Sequence, residues 1–462
     1  MDRPNIILIV ADTMRRDAIG IYNKNVSTPN IDALARDSMV YNNAISPSPW
    51  TVPSHASIFT GKYAIEHELH ESRDLKSNNM TEMMNSVKYE TIAEYLKSRG
   101  YTTLGFSSNP FIAPNTGFDR GFDYFYLDSQ IKDKNLKRLY FEPVLGKELV
   151  DKIGYKSSAL SIIKLLSSNH KLTKLPRLVT YYMKIKKEEN NILHGYGSST
   201  LADILVNSIF NYPTFLFFNL MDMHDPYLKK EKNKFYIKHV LDLFDIKELN
   251  DNYISTAISE YYRRSTNIDK FLGILIDYLK KNNLYEDTII VFTSDHGQSF
   301  KEKHNIKFYG HGTFLYDELI RVPLIIKYPN KDAHIGSVDT YISLTNIFPL
   351  LKKYVTGSAQ FNNLEPVFSE SYGIQDDYST LFQKYNTKFI NNKEIISKIE
   401  NIDIKRKALF YKNFKLTLNC KGEIEEFEKD FYPTKFEYNK EIETLLNELD
   451  IFIGNENFHI TQ

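Results

Sequence analysis

The chain has 462 residues, 42% hydrophobic and 25% charged, with 58 basic side chains balanced by 58 acidic ones. That length accommodates one large domain plus a smaller one. A formal net charge of zero gives no general attraction to nucleic acid, and a single cysteine, Cys420, excludes an intrachain disulfide.

The first element is the apolar run Asn5–Ala11. It is too short to span a membrane and is followed by an acid without a cleavage-type signal, so it reads as a buried strand of a cytoplasmic protein. Residues 31–37 form a short helical pattern. A Ser/Pro-rich turn then leads into Thr51-Val52-Pro53-Ser54-His55, with a helix expected from Pro53 onward. Residues 91–98 read as a helix and Thr102–Ser107 as a strand. Residues 131–191 are helical in pattern and rich in Lys and Arg. They read as a cap insertion with a basic face, either simply solvated or gathering an anionic substrate or lipid. A helix at 201–210, a strand at Thr214–Leu220, a long helix at 253–282 and strands at Thr288–Thr293 and 322–327 follow.

The strand runs do not alternate in polarity, which predicts parallel strands buried on both faces. With helices between them they predict a three-layer α/β/α sandwich over residues 1–355. From 356 to 462 the pattern changes to a small C-terminal antiparallel sheet, with strands at 367–372, 408–411 and Phe414–Asn419 and a closing helix at 440–449.

Polar residues fall where those strands end. Asp12 follows the first, Asp222-Met223-His224-Asp225 the Thr214–Leu220 strand, and Asp295-His296-Gly297 the Thr288–Thr293 strand. In open α/β sheets the ligand sits beyond the carboxyl ends of strands, so these groups are expected to converge. Asp12, Asp295 and His296 offer oxygen with some nitrogen, a donor set suited to Mn, Mg, Ca or Zn. Thr51, at a helix N-terminus, sits where the dipole favours an anion, and a cation beside it would make its hydroxyl a usable nucleophile. His55, His224, His304 and His311 are candidates to donate to substrate oxygens or protonate a leaving group. His311 is flanked by Gly310 and Gly312, which let backbone approach a ligand.

Together these residues resemble the alkaline phosphatase superfamily, within it the sulfatase-like branch. The resemblance is carried by residues 10–17, Thr51 to His55 with Thr60-Gly61, Gly100-Tyr101-Thr102-Thr103, His224-Asp225-Pro226-Tyr227, Ser294-Asp295-His296-Gly297, and residues 312–326. It implies a mixed central sheet and a metal-dependent ester hydrolase or transferase. The departures concern the subtype. Formylglycine sulfatases carry Cys or Ser where this chain has Thr51, Arg at His55, an acid at Thr13, and Lys near Asn109 and at His311. A Thr nucleophile is similar instead to the phosphodiesterases and phosphotransferases of the superfamily. That likeness implies a metal on Asp12, Thr51, Asp295 and His296, with His224, His311 and His55 in catalytic roles and Asn109 and His304 as substrate contacts. It admits a second metal on Asp222 or His224 with His311. The expected substrate is a small anionic phosphate ester or diester, on a glycan or lipid head group. A sulfuric ester hydrolase and a non-catalytic anion-binding relative are the alternatives.

Overall fold

The computed structural model describes residues 3–70, 83–127, 213–228, 242–243, 248–302, 304, 306–329, 334–357, 366–374, 393–430, 432–434 and 440–454. The predicted cap at 131–191 and helix at 201–210 lie outside the described residues.

The main-sheet strands are β1 (Asn5–Ala11), β2 (Met39–Ile45), β3 (Thr102–Ser107), β4 (Tyr124–Leu127), β5 (Thr214–Leu220) and β6 (Thr288–Thr293). The two-residue strands β7 (Ser299–Phe300) and β8 (Tyr309–Gly310) pair apart from them. The main sheet is completed by β9 (Arg321–Val322), β10 (Leu324–Lys327) and β11 (Gly336–Ser343), in the spatial order β11-β2-β10-β6-β1-β5-β3-β4, with β9 on β2. β6, β1, β5, β3 and β4 run parallel, so β1, β5 and β6 end side by side at one edge.

Three expectations need correction. The run at 322–327 is not one parallel strand. Pro323, which has no N–H to give a ladder, separates β9 from β10, and β10 is antiparallel to both β6 and β2. The expected strands omit β2 and β11, whose apolar pattern is interrupted by Asn42, Asn43 and Asp339. The helix carrying the Thr-Val-Pro-Ser-His motif, Thr51–Thr60, begins at Thr51 itself, with Trp50 as its N-cap and Pro53 still in the first turn.

Alternate residues of β1 divide the core. Ile7, Ile9 and Ala11 pack with Leu272, Leu275 and Tyr261 of the long helix Asp251–Lys281. Ile6, Leu8 and Val10 face the opposite cluster, with Val52, Ala56 and Phe59 and helices Ile92–Ser98 and Ile347–Thr356. This period-2 partition with both faces covered makes the three layers. All ten residues of Thr51–Thr60 are buried, and Phe59 meets Phe217 of β5 edge-on at 4.9 Å. Burying one such side chain is worth about 1.5–3 kcal/mol. Gly61 ends the helix at φ 68°, a conformation glycine adopts without Cβ strain.

A separate antiparallel sheet joins β12 (Val367–Ser371), β13 (Arg406–Tyr411), β14 (Phe414–Asn419), β15 (Ile424–Lys429) and β16 (Tyr432–Pro433) in that order. Helix Lys440–Ile453 packs Leu445 and Leu449 on Leu416 and Leu418 of this sheet. Glu370 of β12 reaches back into the main body: its N–H donates to Pro47 O at 2.9 Å, and its Oε1 accepts from Ile65 N at 3.2 Å.

Candidate active site

Because β1 and β5 are neighbours, Asp12 N–H donates to Leu220 O at 2.9 Å and the chain turns sharply after the strand. Thr13 takes φ 60°, a costly conformation for a β-branched residue. Several bonds hold it there. Thr13 N–H donates to Asp295 Oδ1 at 3.2 Å, its hydroxyl donates to Asp12 O at 2.7 Å, and Tyr261 from the long helix donates to its carbonyl at 2.9 Å. The position where the family pattern has a second acid is therefore a hinge joining the two retained acids.

Asp12, Asp295 and His296, all fully buried, place ligand atoms within 4.8 Å of one another. His296 Nε2 lies 3.9 Å from Asp12 Oδ1 and 3.5 Å from Asp295 Oδ2. Those two oxygens are buried without a hydrogen-bond partner. His296 Nδ1 is 2.9 Å from Gly297 O, so Nδ1 carries the proton and Nε2 presents its lone pair. Two orphaned carboxylate oxygens facing an imidazole lone pair fit a hard or borderline divalent cation. Burial, then repulsion from Asp295, raises the Asp12 carboxyl to about 6; burial raises Asp295 to about 7 against donated backbone N–H groups. Burial also lowers His296 to about 4, keeping it a neutral ligand.

Thr51 joins this group from the far side of the sequence, its Oγ1 3.2 Å from His296 Nε2. The loop beneath is fastened by Ser46 and Ser54, whose hydroxyls both donate to Asp295 O, the latter at 2.7 Å. His55 sits one turn behind Thr51 and is fully buried. Its Nδ1–H donates to Thr51 O at 2.9 Å and its Nε2 accepts from Asn219 Nδ2 at 3.0 Å. Burial lowers it to about 3, so it is a neutral ring with both nitrogens engaged, and it buttresses Thr51 from inside the protein.

His224 and His311 complete the imidazole cluster. Their rings are 5.1 Å apart, and His311 is 4.6 Å from His296. His224 Nδ1 is 3.0 Å from Asp225 Oδ1. Burial lowers the His224 pKa, but Asp225 and then Asp12 outweigh it and raise it to about 10, so the ring is cationic at neutral pH. Asn109 donates to Asp12 Oδ2 at 2.7 Å, so it holds a carboxylate of the candidate metal centre. His304 has other partners: it pairs with Glu318 at 2.8 Å and Glu426 at 3.5 Å and stacks on Tyr316. Asp222 is buried near the end of β5, and among the described residues Asp12, Asp295 and His296 are the group with metal-ligand spacing.

Several participants carried no motif signal. Arg264 of the long helix donates to His224 O at 2.7 Å and Pro226 O at 2.8 Å, fixing the loop that presents His224. Gln298 Oε1 is 2.7 Å from His311 Nδ1. Ser294 accepts from Met14 N at 2.9 Å and donates to His296 O at 2.7 Å, tying the β1 and β6 turns together.

Fold and site thus define an α/β/α sandwich with a candidate metal centre and a hydroxyl beside it at the carboxyl ends of parallel strands. The sulfatase family model matches residues 4–357, and the chain belongs to that family. An ulvan-active sulfatase of Formosa agariphila is 26% identical over 362 residues, covering 76% of this chain and 61% of the relative. The chain thus spans about three-fifths of that relative's length. A multifunctional alkaline phosphatase superfamily protein, PehA, of Trinickia caryophylli is 23% identical over 406 residues, covering 77% and 74%. The crystal structure of a phosphonate monoester hydrolase of Agrobacterium radiobacter superposes with a TM-score of 0.61 at 15% identity, covering 98% of this chain and 95% of that one.

Proposed function

We propose that this protein is a metal-dependent hydrolase of phosphoric esters, or a transferase of the phosphoryl group, in which Thr51 is the nucleophile. The observation that carries the reading is the 3.2 Å approach of Thr51 Oγ1 to His296 Nε2, beside the two orphaned carboxylate oxygens. Asp12, Asp295 and His296 would hold the cation, which when bound would lower the pKa of the Thr51 hydroxyl and offset charge on the ester oxygens. Thr51 Oγ, its proton lost to water, attacks the phosphorus as the ester P–O bond breaks, and the phosphothreonine that forms is then cleaved by water or an acceptor alcohol to restore Thr51. His224, cationic and oriented by Asp225, donates its proton to the departing oxygen. His55 holds the backbone of Thr51 through its carbonyl, and His311, its ring 4.6 Å from that of His296, would contact the substrate's oxygens. Threonine supports phosphorus over formylglycine chemistry: Cβ already bears a methyl group, so its oxidation would yield a ketone and not an aldehyde.

The second reading is a sulfuric ester hydrolase, favoured by the matched family and by relatives named as sulfatases of sulfated glycans. Metal-loaded protein tested on bis-nitrophenyl phosphate, nitrophenyl phosphate and nitrophenyl sulfate decides between the two. Preferential cleavage of a phosphate ester, with phosphate recovered on the Thr51 peptide by mass spectrometry, supports the first. Faster turnover of the sulfate establishes the second.

A further inference from the structure

Buried polar atoms without a partner are uncommon enough that each needs a cause. Two of those at this site, Asp12 Oδ1 and Asp295 Oδ2, are acceptors that suit a cation. A third is a donor, Gln298 Nε2, which no cation can satisfy. Gln298 is fully buried and lies two residues beyond His296. Its loop is fixed on both sides of the side chain: Gly297 N–H donates to Leu319 O at 2.7 Å, and Arg15 Nη1 donates to the Gln298 carbonyl at 3.2 Å. Oε1 is engaged by His311 at 2.7 Å, and the His311 ring stands 4.6 Å from that of His296 and 5.1 Å from that of His224. Nε2 shares its carbon with Oε1, so the unpaired N–H₂ lies beside the imidazole cluster.

We propose that Gln298 is a substrate-binding residue: its Nε2–H donates to a non-bridging oxygen of the tetrahedral anion while Oε1 accepts the Nδ1–H of His311. The proposal rests on the ester-hydrolase reading of the site. An anion oxygen is the acceptor such a donor lacks, and in a site shielded from water a hydrogen bond to a charged oxygen is strong. One carboxamide then does two things that neither a carboxylate nor an apolar side chain does together. It holds the imidazole, and it presents a donor to negative charge.

The test is anion binding by calorimetry, with inorganic phosphate and inorganic sulfate as separate probes on metal-loaded protein, beside kcat and KM for the preferred nitrophenyl ester. Gln298→Met keeps the length and removes the donor. It is expected to weaken anion binding roughly tenfold to a hundredfold and to raise KM, with metal affinity unchanged. Gln298→Glu keeps an acceptor for His311 and adds a repelling charge, so it is expected to lose at least as much. Should the glutamate variant fail to fold, the methionine variant carries the test. Unchanged anion affinity in folded, metal-loaded Gln298→Met overturns the proposal, as it would if Nε2 met only a buried water. Thr51→Ala serves as the separate control. Full turnover in that variant would defeat the Thr51 nucleophile reading while leaving the calorimetric result for Gln298 to stand or fall alone.

Discussion

Thr51 Oγ1 and His296 Nε2, 245 residues apart in the chain, lie 3.2 Å from each other in a fully buried setting. Because His296 Nδ1 is committed to Gly297 O, the contact is one in which the threonine hydroxyl donates and the imidazole accepts. It places the proposed nucleophile against a proposed metal ligand.

Removing that hydroxyl is expected to lower kcat on the preferred nitrophenyl ester by on the order of a thousandfold or more in Thr51→Ala. The circular dichroism spectrum should be unchanged, since the loss amounts to one hydrogen bond of about 1 kcal/mol. Thr51→Ser is expected to retain measurable turnover, because the oxygen stays in place.

Metal-free protein should be strained by its own carboxylates. Asp295 is raised from 3.8 to about 7 by burial, so between those values the folded state binds a proton that the unfolded state releases. Stability of the metal-free form is therefore expected to fall as pH rises from about 4 to 7. Asp295→Asn should flatten that slope and stabilise the metal-free form at neutral pH by about 1–3 kcal/mol, while abolishing metal retention. Urea titrations across pH, with elemental analysis, check both parts.

Adding a divalent ion should have the opposite effect in the parent protein. At a free concentration a hundred times its dissociation constant the ion is expected to add about 2.7 kcal/mol, reversed by chelator. Thermal scans with Mn, Zn, Ca and Mg rank the candidates, and no shift with any of them would remove the metal from the site.

Gly297→Ala is expected to be poorly tolerated. A Cβ there would lie 1.9 Å from the backbone oxygen of Glu318, which no side-chain adjustment relieves. The β6 turn would have to lift away, taking His296 with it. The expected result is a markedly lowered melting temperature and loss of metal binding, read by thermal scan and elemental analysis.

His304 supplies a second pH effect, through partners other than the candidate metal ligands. Burial lowers its pKa, but the hydrogen bonds it donates to Glu318 and Glu426 more than offset this and raise it from 6.5 to about 9. A raised imidazole stabilises the fold fully below 6.5, and the contribution is lost as pH climbs through about 9. His304→Gln should remove that part of the slope in denaturant titrations, with anion binding unchanged.

The candidate metal ligands are legible in sequence because they follow strands. Asp12, Asp295 and His296 follow continuous apolar runs, and the parallel order of β6, β1 and β5 brings them together. Thr51 was legible through its Pro53 and the turn before it. Arg264, Asn219, Gln298 and the hinge at Thr13 were not, because their significance comes from what packs against them. Arg264 lies in mid-helix and looks like one of many surface arginines until the 222–226 loop wraps around it. His304 shows the reverse: a histidine near the motif, whose partners are two glutamates and a tyrosine ring. β2 and β11 are hidden because asparagines and an aspartate break their pattern, and the antiparallel sense of β10 cannot be read from three apolar residues and a lysine.

The bonds from Glu370 to Pro47 and Ile65 straddle the Thr51–Thr60 helix, one before it and one beyond. The small C-terminal sheet thus works as a rear brace for the threonine-bearing turn. Any slip in the register of β12 would shift that turn from behind, so a lesion more than three hundred residues downstream can disarm chemistry it never touches.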